Sequence, residues 1–307
     1  MMEPHEERAA RCAIILAGGD GKRLAGLTRQ ITGEAVPKQF CQLIGDTSMV
    51  QQTRRRVSLT VDDERIFTTL TRTHERFYSP ILGSVASRNL IVQPESRGTA
   101  PAILYSLLRL AATNPLARVA IFPSDHFIDD DRKFMRHVEM AFAVTALRPE
   151  FTVLLGIAPQ WPEPGYGWIE PGAAIGGTPV FLVRRFWEKP RSEIAGELLG
   201  HGCLWNSFVM VGRLSTLLGL FLIALPELYL AFNRIRPVID TAFEEKTLQR
   251  VYADLRSTGF SERVLAEHPV NLAVLPVHGV EWSDLGEPRR VMDTIARTGI
   301  RPQWLAA

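Results

Sequence analysis

The sequence predicts an α/β fold in which a mostly parallel sheet is flanked by helices. Short, continuously apolar runs at residues 12–17 and 119–122 have the pattern of strands that are buried on both faces. Between them, residues 99–112 repeat apolar side chains at helical spacing. Alternation of this kind favours a parallel sheet, whose ligands usually bind outside the carboxyl ends of the strands.

The elements follow one another in a regular order. The strand 12–17 ends in two glycines, a second strand ends near Val92, and Thr99 is expected to cap the helix 99–112. Strand 119–122 stops at a Pro-Ser-Asp turn. Further strands are predicted at 151–157 and 180–183, and the apolar stretch 217–225 is expected to be a buried helix, since a bilayer span needs about 20 apolar residues.

Composition excludes several classes of protein. The 307 residues are 46% hydrophobic and 22% charged with a net charge of +2, which argues against disorder, collagen and coiled coil and predicts no general attraction to nucleic acid or membrane. Three separated cysteines without a CxxC pair argue against a disulfide framework and a thiolate zinc site. This cysteine usage predicts the reducing cytosol, so we expect a cytoplasmic protein. The N-terminal residues lack the apolar core of a secretory signal and are expected to be a short solvated lead-in.

Residues 18–24 (GGDGKRL) are the most informative stretch of the chain. Three glycines let the backbone approach a phosphate closely, and Lys22 and Arg23 supply positive charge beside it. The segment is not a P-loop, because Arg23 follows the Gly-Lys pair where Ser or Thr is needed, and Leu24 replaces the third glycine of a dinucleotide fingerprint. The alternative is a strand-to-helix turn that uses glycine only for its geometry.

Eight short motifs in one order resemble the sugar-1-phosphate nucleotidyltransferases, and the resemblance is strongest to the members that transfer guanylyl groups to mannose 1-phosphate. It runs from about residue 13 to residue 286. The motifs are LAGGDGKRL (16–24), PKQF (37–40), QPESRGTAPAI (93–103), PSDH (123–126), PGYGWIEPG (164–172), FWEKP (186–190), LWNS (204–207) and WSDLG (282–286).

The resemblance implies a Rossmann-like fold of the nucleotide-diphospho-sugar transferase type, with an elaborated second half that binds the acceptor. We expect one nucleotidyltransferase domain over 1–307, with a solvated lead-in (1–10), a catalytic core (11–287) and a C-terminal helical tail (288–307). The implied substrates are GTP and a hexose 1-phosphate, with no nucleic-acid or membrane partner. A homodimer stays open.

The implied reaction brings two polyanions together, so a divalent cation and several fixed cations are expected. Asp125 and Asp284 are the candidate ligands of Mg²⁺ or another divalent cation, which often takes one or two carboxylates plus phosphates and water. The alternatives are a turn-forming role for Asp125 and a helix cap for Asp284. Because a second ligand at metal spacing is missing, His126 is expected to pack or to form a hydrogen bond.

The other roles are carried by the resemblance. Arg23 would hold the β- and γ-phosphates, and Lys38 would bridge the α-phosphate and the sugar phosphate. Lys189 would bind the acceptor phosphate. The alternative for the EKP motif is that its Glu-Lys pair is an ordinary ion pair on the surface. The sugar-phosphate residues are Tyr166, Gly167, Glu188, Lys189 and Asn206, although a core role for Tyr166 is equally open. The nucleotide-binding residues are Leu16, Ala17, Gly18, Gly19, Gly21, Lys22, Arg23, Gln93, Arg97, Gly98 and Thr99, with a structural role for Arg97 as the alternative.

The chain departs from the family pattern at three positions. Phe208 stands where glycine is common, Pro164 stands where threonine is usual, and Arg263 replaces an acid. These differences bear on which sugar fits. Two alternatives therefore stay open: the same chemistry with another hexose or heptose phosphate or another nucleoside triphosphate, and a catalytically silent homologue that binds nucleotide sugars.

Overall fold

A computed structural model of the protein describes residues 10–269 and 271–305, so the predicted lead-in lies outside the described residues except for Ala10. The strands are β1 (Arg11–Leu16), β2 (Ile66–Thr71), β3 (Leu90–Gln93), β4 (Arg118–Pro123), β5 (Phe127–Ile128), β6 (Thr152–Ile157), β7 (Gly167–Ala174), β8 (Phe181–Glu188), β9 (Leu204–Arg213), β10 (Leu272–Val277) and β11 (Trp282–Ser283). The α-helices are α1 (Ala25–Thr32), α2 (Met49–Val57), α3 (Glu75–Leu82), α4 (Thr99–Thr113), α5 (Asp131–Leu147), α6 (Ser192–Gly200), α7 (Leu214–Ala224), α8 (Pro226–Asn233), α9 (Glu244–Ala253) and α10 (Pro288–Thr298).

The chain divides into two compact units. The smaller unit comprises Ala13–Ser96, Phe122–Met135 and the chain from Val280 onward. The larger unit comprises Arg97–Ile121, Arg136–Gly279 and the described residues up to Cys12. Each unit therefore collects segments that are far apart in the sequence.

The smaller unit contains the parallel ladder that the sequence predicts. β1 pairs with β2, and β2 pairs with β3, both in parallel register. Their carboxyl ends, at Leu16, Thr71 and Gln93, lie at one edge of this ladder, which is where the glycine loop begins. A separate two-stranded sheet joins β5 to β11 in antiparallel register.

The larger unit is mixed rather than mostly parallel. β6 and β10 pair in parallel, whereas β9 runs antiparallel to β4 and β6, and β7 runs antiparallel to β8 and β9. The short connection between β7 and β8 explains part of this difference, because neighbouring strands joined by a few residues can pair only in antiparallel register. The α/β, Rossmann-like class is confirmed, and the parallel arrangement is concentrated in the smaller unit.

Helix α4 agrees with the predicted helix 99–112 to within one residue, but the predicted cap is wrong. Gly98 is the N-cap residue, with a φ of 88°, and Thr99 already belongs to the helix. The Thr99 hydroxyl instead accepts a hydrogen bond of 2.8 Å from the backbone N–H of Phe260. The Thr99 side chain is therefore used in a tertiary contact and not as the helix cap that local sequence rules predict.

Helix α7 covers most of the stretch that was predicted to be a buried helix. Leu217, Leu220 and Phe221 are buried, but Leu222 and Ile223 are exposed, so only one face packs. Among the described residues, no single helix has the length and hydropathy to cross a membrane; two consecutive helical segments, Leu214–Ala224 and Pro226–Val238, reach that threshold only together and are bent by 119°. The three cysteines are all buried.

A hydrophobic cluster of the smaller unit supports the loops that carry the candidate site. It joins Leu24, Leu43, Phe127, Leu285 and Val291, and Trp304 packs against it. Helix α10 enters this cluster with proline at its first position, and Gly299 ends it with a φ of 68°. The cluster thus anchors three separate segments of the chain below one set of loops.

Candidate functional site

The glycine loop needs glycine for two reasons: a side chain would not fit at Gly18 or Gly21, and the backbone at Gly21 has a positive φ. A Cβ at Gly18 would lie 2.4 Å from Gln93 Nε2 and 2.8 Å from Thr71 Oγ1, and a Cβ at Gly21 would lie 2.9 Å from the backbone nitrogen of Lys38. Gly21 also has a φ of 64°, a conformation that glycine adopts without strain. Gln93 therefore lies beneath the loop, where it donates a 2.9 Å hydrogen bond to Thr71, which in turn donates to the Gly18 carbonyl.

Gln39 also holds this loop, and sequence reasoning missed it. Its amide nitrogen donates to the carbonyl oxygens of Ala17 at 2.9 Å and Gly19 at 2.7 Å. Both carbonyls are therefore engaged by one side chain, which fixes the orientation of these two peptide groups in the loop. The signal for Gln39 was its position beside Lys38 in the PKQF motif.

Lys38, Asp125, Asp284 and Arg290 form what we call the Lys38 cluster, within the smaller unit. The Lys38 side chain is only 7% exposed, and its Nζ lies 3.1 Å from Asp125 Oδ2. The same ammonium group donates to the backbone carbonyl oxygens of Asp284 and, at 3.3 Å, Leu285. Asp125 and Asp284, 159 positions apart in the sequence, are thus direct neighbours of one cation.

The surroundings of Asp125 favour its ionised form. Burial raises the pKa of this carboxyl, but the nearby charges of Lys38 and His126, with hydrogen bonds from Lys38 and the backbone, lower it below its ordinary value overall. His126 Nε2 lies 3.8 Å from Asp125 Oδ1, and its ring meets Trp282 edge-on at 5.3 Å. Burial lowers the pKa of His126 to about 4, so the imidazole is neutral near pH 7 and has the packing role that was expected.

The Asp284 carboxylate is held within its own turn. Its Oδ1 accepts a 2.8 Å hydrogen bond from the backbone N–H of Gly286 and lies 3.1 Å from Nε of Arg290. The helix-cap alternative for Asp284 is wrong, because Glu287 is the N-cap residue of α10. Arg290 is a second residue that sequence reasoning missed.

The Lys38 cluster fits a small divalent cation that takes two ligands from the protein and the others from phosphates and water. Asp125 and Asp284 supply two carboxylates, and among the described residues no group of three Asp, Glu, His or Cys side chains could hold a metal. A Cβ at Gly286 would lie 2.6 Å from Asp284 Oδ2, so the glycine keeps space open beside that oxygen. Mg²⁺ commonly uses one or two carboxylates and takes its remaining ligands from phosphates and water.

The two cations of the glycine loop are exposed. Lys22 Nζ lies 3.2 Å from Asp20 Oδ2, and Arg23 Nη1 lies 4.0 Å from Glu287 Oε1. His74 Nε2 lies 3.4 Å from the other oxygen of Asp20, so the acid in the middle of the loop is also anchored to the residues that follow β2. Lys22 and Arg23 are therefore accessible to a ligand from solvent, in contrast to Lys38.

In the larger unit, Gly167, Glu188, Lys189 and Asn206 form what we call the Asn206 cluster. Gly167 pairs with Glu188 across β7 and β8. A Cβ at Gly167 would lie 3.3 Å from Glu188 Oε2 and 3.4 Å from Asn206 Cβ, so the glycine brings these side chains close together. Lys189 Nζ lies 3.0 Å from Glu188 Oε1. Four of the five expected sugar-phosphate residues are thus adjacent.

Tyr166, the fifth, is buried and belongs to an aromatic core. Its ring meets Trp205 edge-on at 5.1 Å, and Trp205 also contacts Trp161 and Trp168. This placement matches the core alternative for the tyrosine, whose ring supports the strand that carries Asn206.

The backbone is strained next to both clusters. Among described non-glycine residues, positive φ angles occur at five positions, and three of these, Lys189 (46°), Phe208 (62°) and Leu285 (46°), belong to or adjoin the candidate site residues. Phe208 lies in an irregularity of β9, because Leu154 pairs with Met210 but Gly156 pairs with Asn206. The backbone N–H of Phe208 donates to Asn206 Oδ1 at 3.0 Å. Strained backbone of this kind is concentrated at functional sites.

The predicted base-binding segment is held by the loop that precedes Phe260. The Arg97 carbonyl accepts a 3.0 Å hydrogen bond from the Thr258 N–H, and the Thr258 carbonyl accepts one of 3.1 Å from the Ala100 N–H. A Cβ at Gly98 would lie 2.4 Å from that carbonyl, and Gly98 has a φ of 88°. Gln93 lies in the smaller unit beneath Gly18, whereas Arg97, Gly98 and Thr99 belong to the larger unit.

Comparison with known proteins agrees with this arrangement. The family model described as nucleotidyl transferase matches residues 12–298. The chain is 32% identical over 285 residues to the mannose-1-phosphate guanylyltransferase RfbM of Salmonella typhimurium, covering 89% of this chain and 56% of that protein. It is 29% identical over 300 residues to the xanthan biosynthesis protein XanB of Xanthomonas campestris, covering 93% of this chain and 60% of that protein.

A solved structure is also similar. It is described as a mannose-1-phosphate geranyltransferase from Thermus thermophilus, with a TM-score of 0.77 at 28% identity, covering 92% of this chain and 79% of that one. The chain spans only about 60% of the length of the curated relatives above. Because the family model covers nearly the whole sequence, the chain belongs to the nucleotidyl transferase family.

Proposed function

We propose that this protein transfers a guanylyl group from GTP to mannose 1-phosphate, forming GDP-mannose and pyrophosphate. The observation that carries the proposal is the Lys38 cluster, in which one buried ammonium group contacts the Asp125 carboxylate and the backbone carbonyl of Asp284 beside the glycine loop. The similarity to a relative named mannose-1-phosphate guanylyltransferase supports this choice of base and sugar.

The smaller unit is proposed to bind the triphosphate. The amide groups of the loop from Leu16 to Gly21 would approach the phosphates, and the exposed Arg23 would hold the β- and γ-phosphates. Lys22 would add a second cation at the same loop. Neutralising several negative charges is the main requirement for bringing a second anion to the α-phosphorus.

Asp125 and Asp284 are proposed to hold Mg²⁺ or another divalent cation. When bound, such an ion neutralises phosphate charge and orients the triphosphate. Lys38 is proposed to bridge the α-phosphate and the sugar phosphate, which requires its ammonium to exchange part of its contact with Asp125 for phosphate oxygens. A lysine suits this role, because it is a compact charge that needs no fixed donor geometry.

The Asn206 cluster is proposed to bind the acceptor. Lys189 would contact the phosphate of the sugar phosphate, and Glu188 would accept hydrogen bonds from sugar hydroxyls. Since Asn206 Oδ1 already accepts from Phe208, its amide hydrogens remain to donate to a sugar hydroxyl. The Arg97–Thr99 segment is proposed to approach the guanine base.

The reaction is a single displacement. A phosphate oxygen of the sugar phosphate forms a bond to the α-phosphorus, and the bond from that phosphorus to the α,β-bridging oxygen breaks. The electron pair leaves with pyrophosphate. No side chain forms a covalent intermediate, so positioning and charge neutralisation supply the catalysis.

The decisive experiment is a coupled assay of pyrophosphate release from GTP and mannose 1-phosphate, with and without Mg²⁺. We expect turnover in the parent and a loss of at least about two orders of magnitude in Asp125→Ala and in Asp284→Asn. Near-parental rates in both variants would contradict the metal assignment. A panel of other nucleoside triphosphates and hexose or heptose phosphates tests the substrate choice, and tight binding of GDP-mannose without turnover in any pair would favour a silent sensor.

A further inference from the structure

Arg290 is a buried cation that contacts one of the two proposed metal ligands. Its Nε lies 3.1 Å from Asp284 Oδ1, and its side chain is 8% exposed. Its Nη2 lies 3.6 Å from Glu287 Oε1. A buried guanidinium needs an anionic partner to offset its loss of hydration, and Asp284 is the nearer and less exposed of the two carboxylates.

The turn that carries Asp284 is built to direct its carboxylate towards Arg290. Leu285 is fully buried and has a φ of 46°, and its backbone N–H donates to Ser283 Oγ at 3.1 Å. The next N–H, from Gly286, donates to Asp284 Oδ1 at 2.8 Å. A Cβ at Gly286 would lie 2.6 Å from Asp284 Oδ2 and 2.7 Å from Arg290 Nη2, so a larger residue would displace both groups.

Arg290 is itself fixed by the helix that carries it. It lies in the first turn of α10, whose start is set by Glu287 and Pro288. The Arg290 carbonyl accepts a 2.7 Å hydrogen bond from the hydroxyl of Thr294, one turn further along. The guanidinium thus has a rigid origin, and its positive charge is held as an ion pair beside Asp284 Oδ1.

We propose that Arg290 is a positioning residue for the metal site: it holds Asp284 Oδ1 and so presents Oδ2 to the divalent cation. This inference rests on the proposed function, because it assumes that Asp284 is a metal ligand. The two proposed ligands would then differ in their internal partners. Asp125 is paired with Lys38, which is proposed to move to phosphate, whereas Asp284 is paired with Arg290, which stays in place.

The test separates orientation from charge. Arg290→Lys keeps the positive charge but replaces the planar guanidinium by an ammonium on a flexible stem, and Gly286→Ala keeps the arginine but crowds both Asp284 Oδ2 and Arg290 Nη2. Arg289→Lys is the matched control, since Arg289 is the adjacent, exposed residue of the same helix and pairs with Asp293 at 3.5 Å. The readout is Mn²⁺ affinity with α,β-methylene-GTP bound, from electron paramagnetic resonance of the free ion, alongside kcat and KM.

We expect Mn²⁺ affinity to fall about tenfold in Arg290→Lys and in Gly286→Ala, the lower end of what such supporting residues contribute. Arg289→Lys should stay within about twofold of the parent. The KM for mannose 1-phosphate should not change, because the residues proposed to bind it do not include Asp284. A folded Arg290→Lys protein that binds Mn²⁺ as tightly as the parent, or more tightly, would overturn the proposal.

Two further outcomes are decisive. If Arg290→Lys does not fold, as judged by circular dichroism, Gly286→Ala decides alone, and parental Mn²⁺ affinity in that variant overturns the proposal. If the parent turns over without any response to Mn²⁺ or Mg²⁺, the metal assignment of the proposed function fails and this inference fails with it. Parental affinity in Arg290→Lys beside a metal-dependent parent contradicts the role of Arg290 only.

Discussion

Lys38 and Asp125 form an ion pair of 3.1 Å in which the lysine side chain is almost completely buried. The same ammonium group also donates to the carbonyl of Asp284, 246 positions away in the sequence. One side chain therefore joins the PKQF segment, the end of β4 and the turn after β11. Its positive charge is in place beside the proposed metal ligands before any substrate binds.

Replacing Lys38 by methionine should abolish most of the activity. The variant keeps much of the side-chain length but removes the cation proposed to contact both phosphates, so kcat/KM should fall by about two to three orders of magnitude. Lys246→Met, at an exposed position of α9, is the control and should be neutral. Parental turnover in a folded Lys38→Met protein would contradict the bridging role.

Alanine at Gly18 should destabilise the folded protein, and alanine at Gly19 should leave its stability unchanged. The new Cβ at Gly18 would meet Gln93 Nε2 at 2.4 Å, whereas nothing lies within 4 Å of a Cβ at Gly19. Gly18→Ala is expected to lower the free energy of unfolding by about 1–3 kcal/mol and to raise the KM for GTP. Urea denaturation measures the stability and steady-state kinetics the KM; equal stability of the two variants would argue against a space requirement at Gly18.

The backbone at Phe208 should prefer asparagine to valine. Because φ is 62° there, a β-branched side chain is disfavoured, and Phe208→Val should be less stable than Phe208→Asn by about 1–2 kcal/mol. The same pair at Phe181, a half-buried residue in β8, should show the reverse order, since valine suits a strand. Urea midpoints of the four variants measure this, and identical orders at both positions would contradict it.

The cysteines should be unreactive in the folded protein. Burial raises the pKa of Cys41 and of Cys203 to about 11, and the charge of Glu170 adds to the effect at Cys203. At pH 8 only about 0.1% of such a thiol is ionised, compared with about a quarter of an ordinary thiol. Ellman's reagent should therefore react slowly with the native protein at pH 8 and faster as the pH rises. In urea, where the protein is unfolded, it should react with all three cysteines at once. Rapid labelling of the native protein would contradict the burial.

Much of the candidate site could be predicted from local sequence. The glycine loop follows a strand with the pattern of a buried element, and PKQF, PSDH and WSDLG each carry a residue that the fold brings to the Lys38 cluster. The helix 99–112 was predicted almost to the residue, because its apolar spacing leaves little alternative. The parallel ladder β1 to β3 also follows from the pattern of strands and helices.

Other features had no local signal. For Tyr166 a sugar-site role and a core role were equally open, because aromatic residues serve in both, and only the structure shows that its ring packs against Trp205. The antiparallel course of β7, β8 and β9 depends on which strands become neighbours, and hydrophobic pattern alone does not decide that. The Thr99 hydroxyl was assigned to a cap and is engaged by Phe260 instead.

The sequence by itself determined which functional groups are present: a glycine loop after the first strand, and two acids and three cations in recognisable motifs. It also determined the family to which these motifs belong. The tertiary structure decided which groups are paired, burying Lys38 against Asp125, fixing Asp284 with Arg290 and holding the loop carbonyls with Gln39. The physical reason is that a buried charge or amide must find a partner, and the partner is whichever group chain closure brings within hydrogen-bonding distance. Motif spacing along the chain carries the identity of these groups but not their final neighbours.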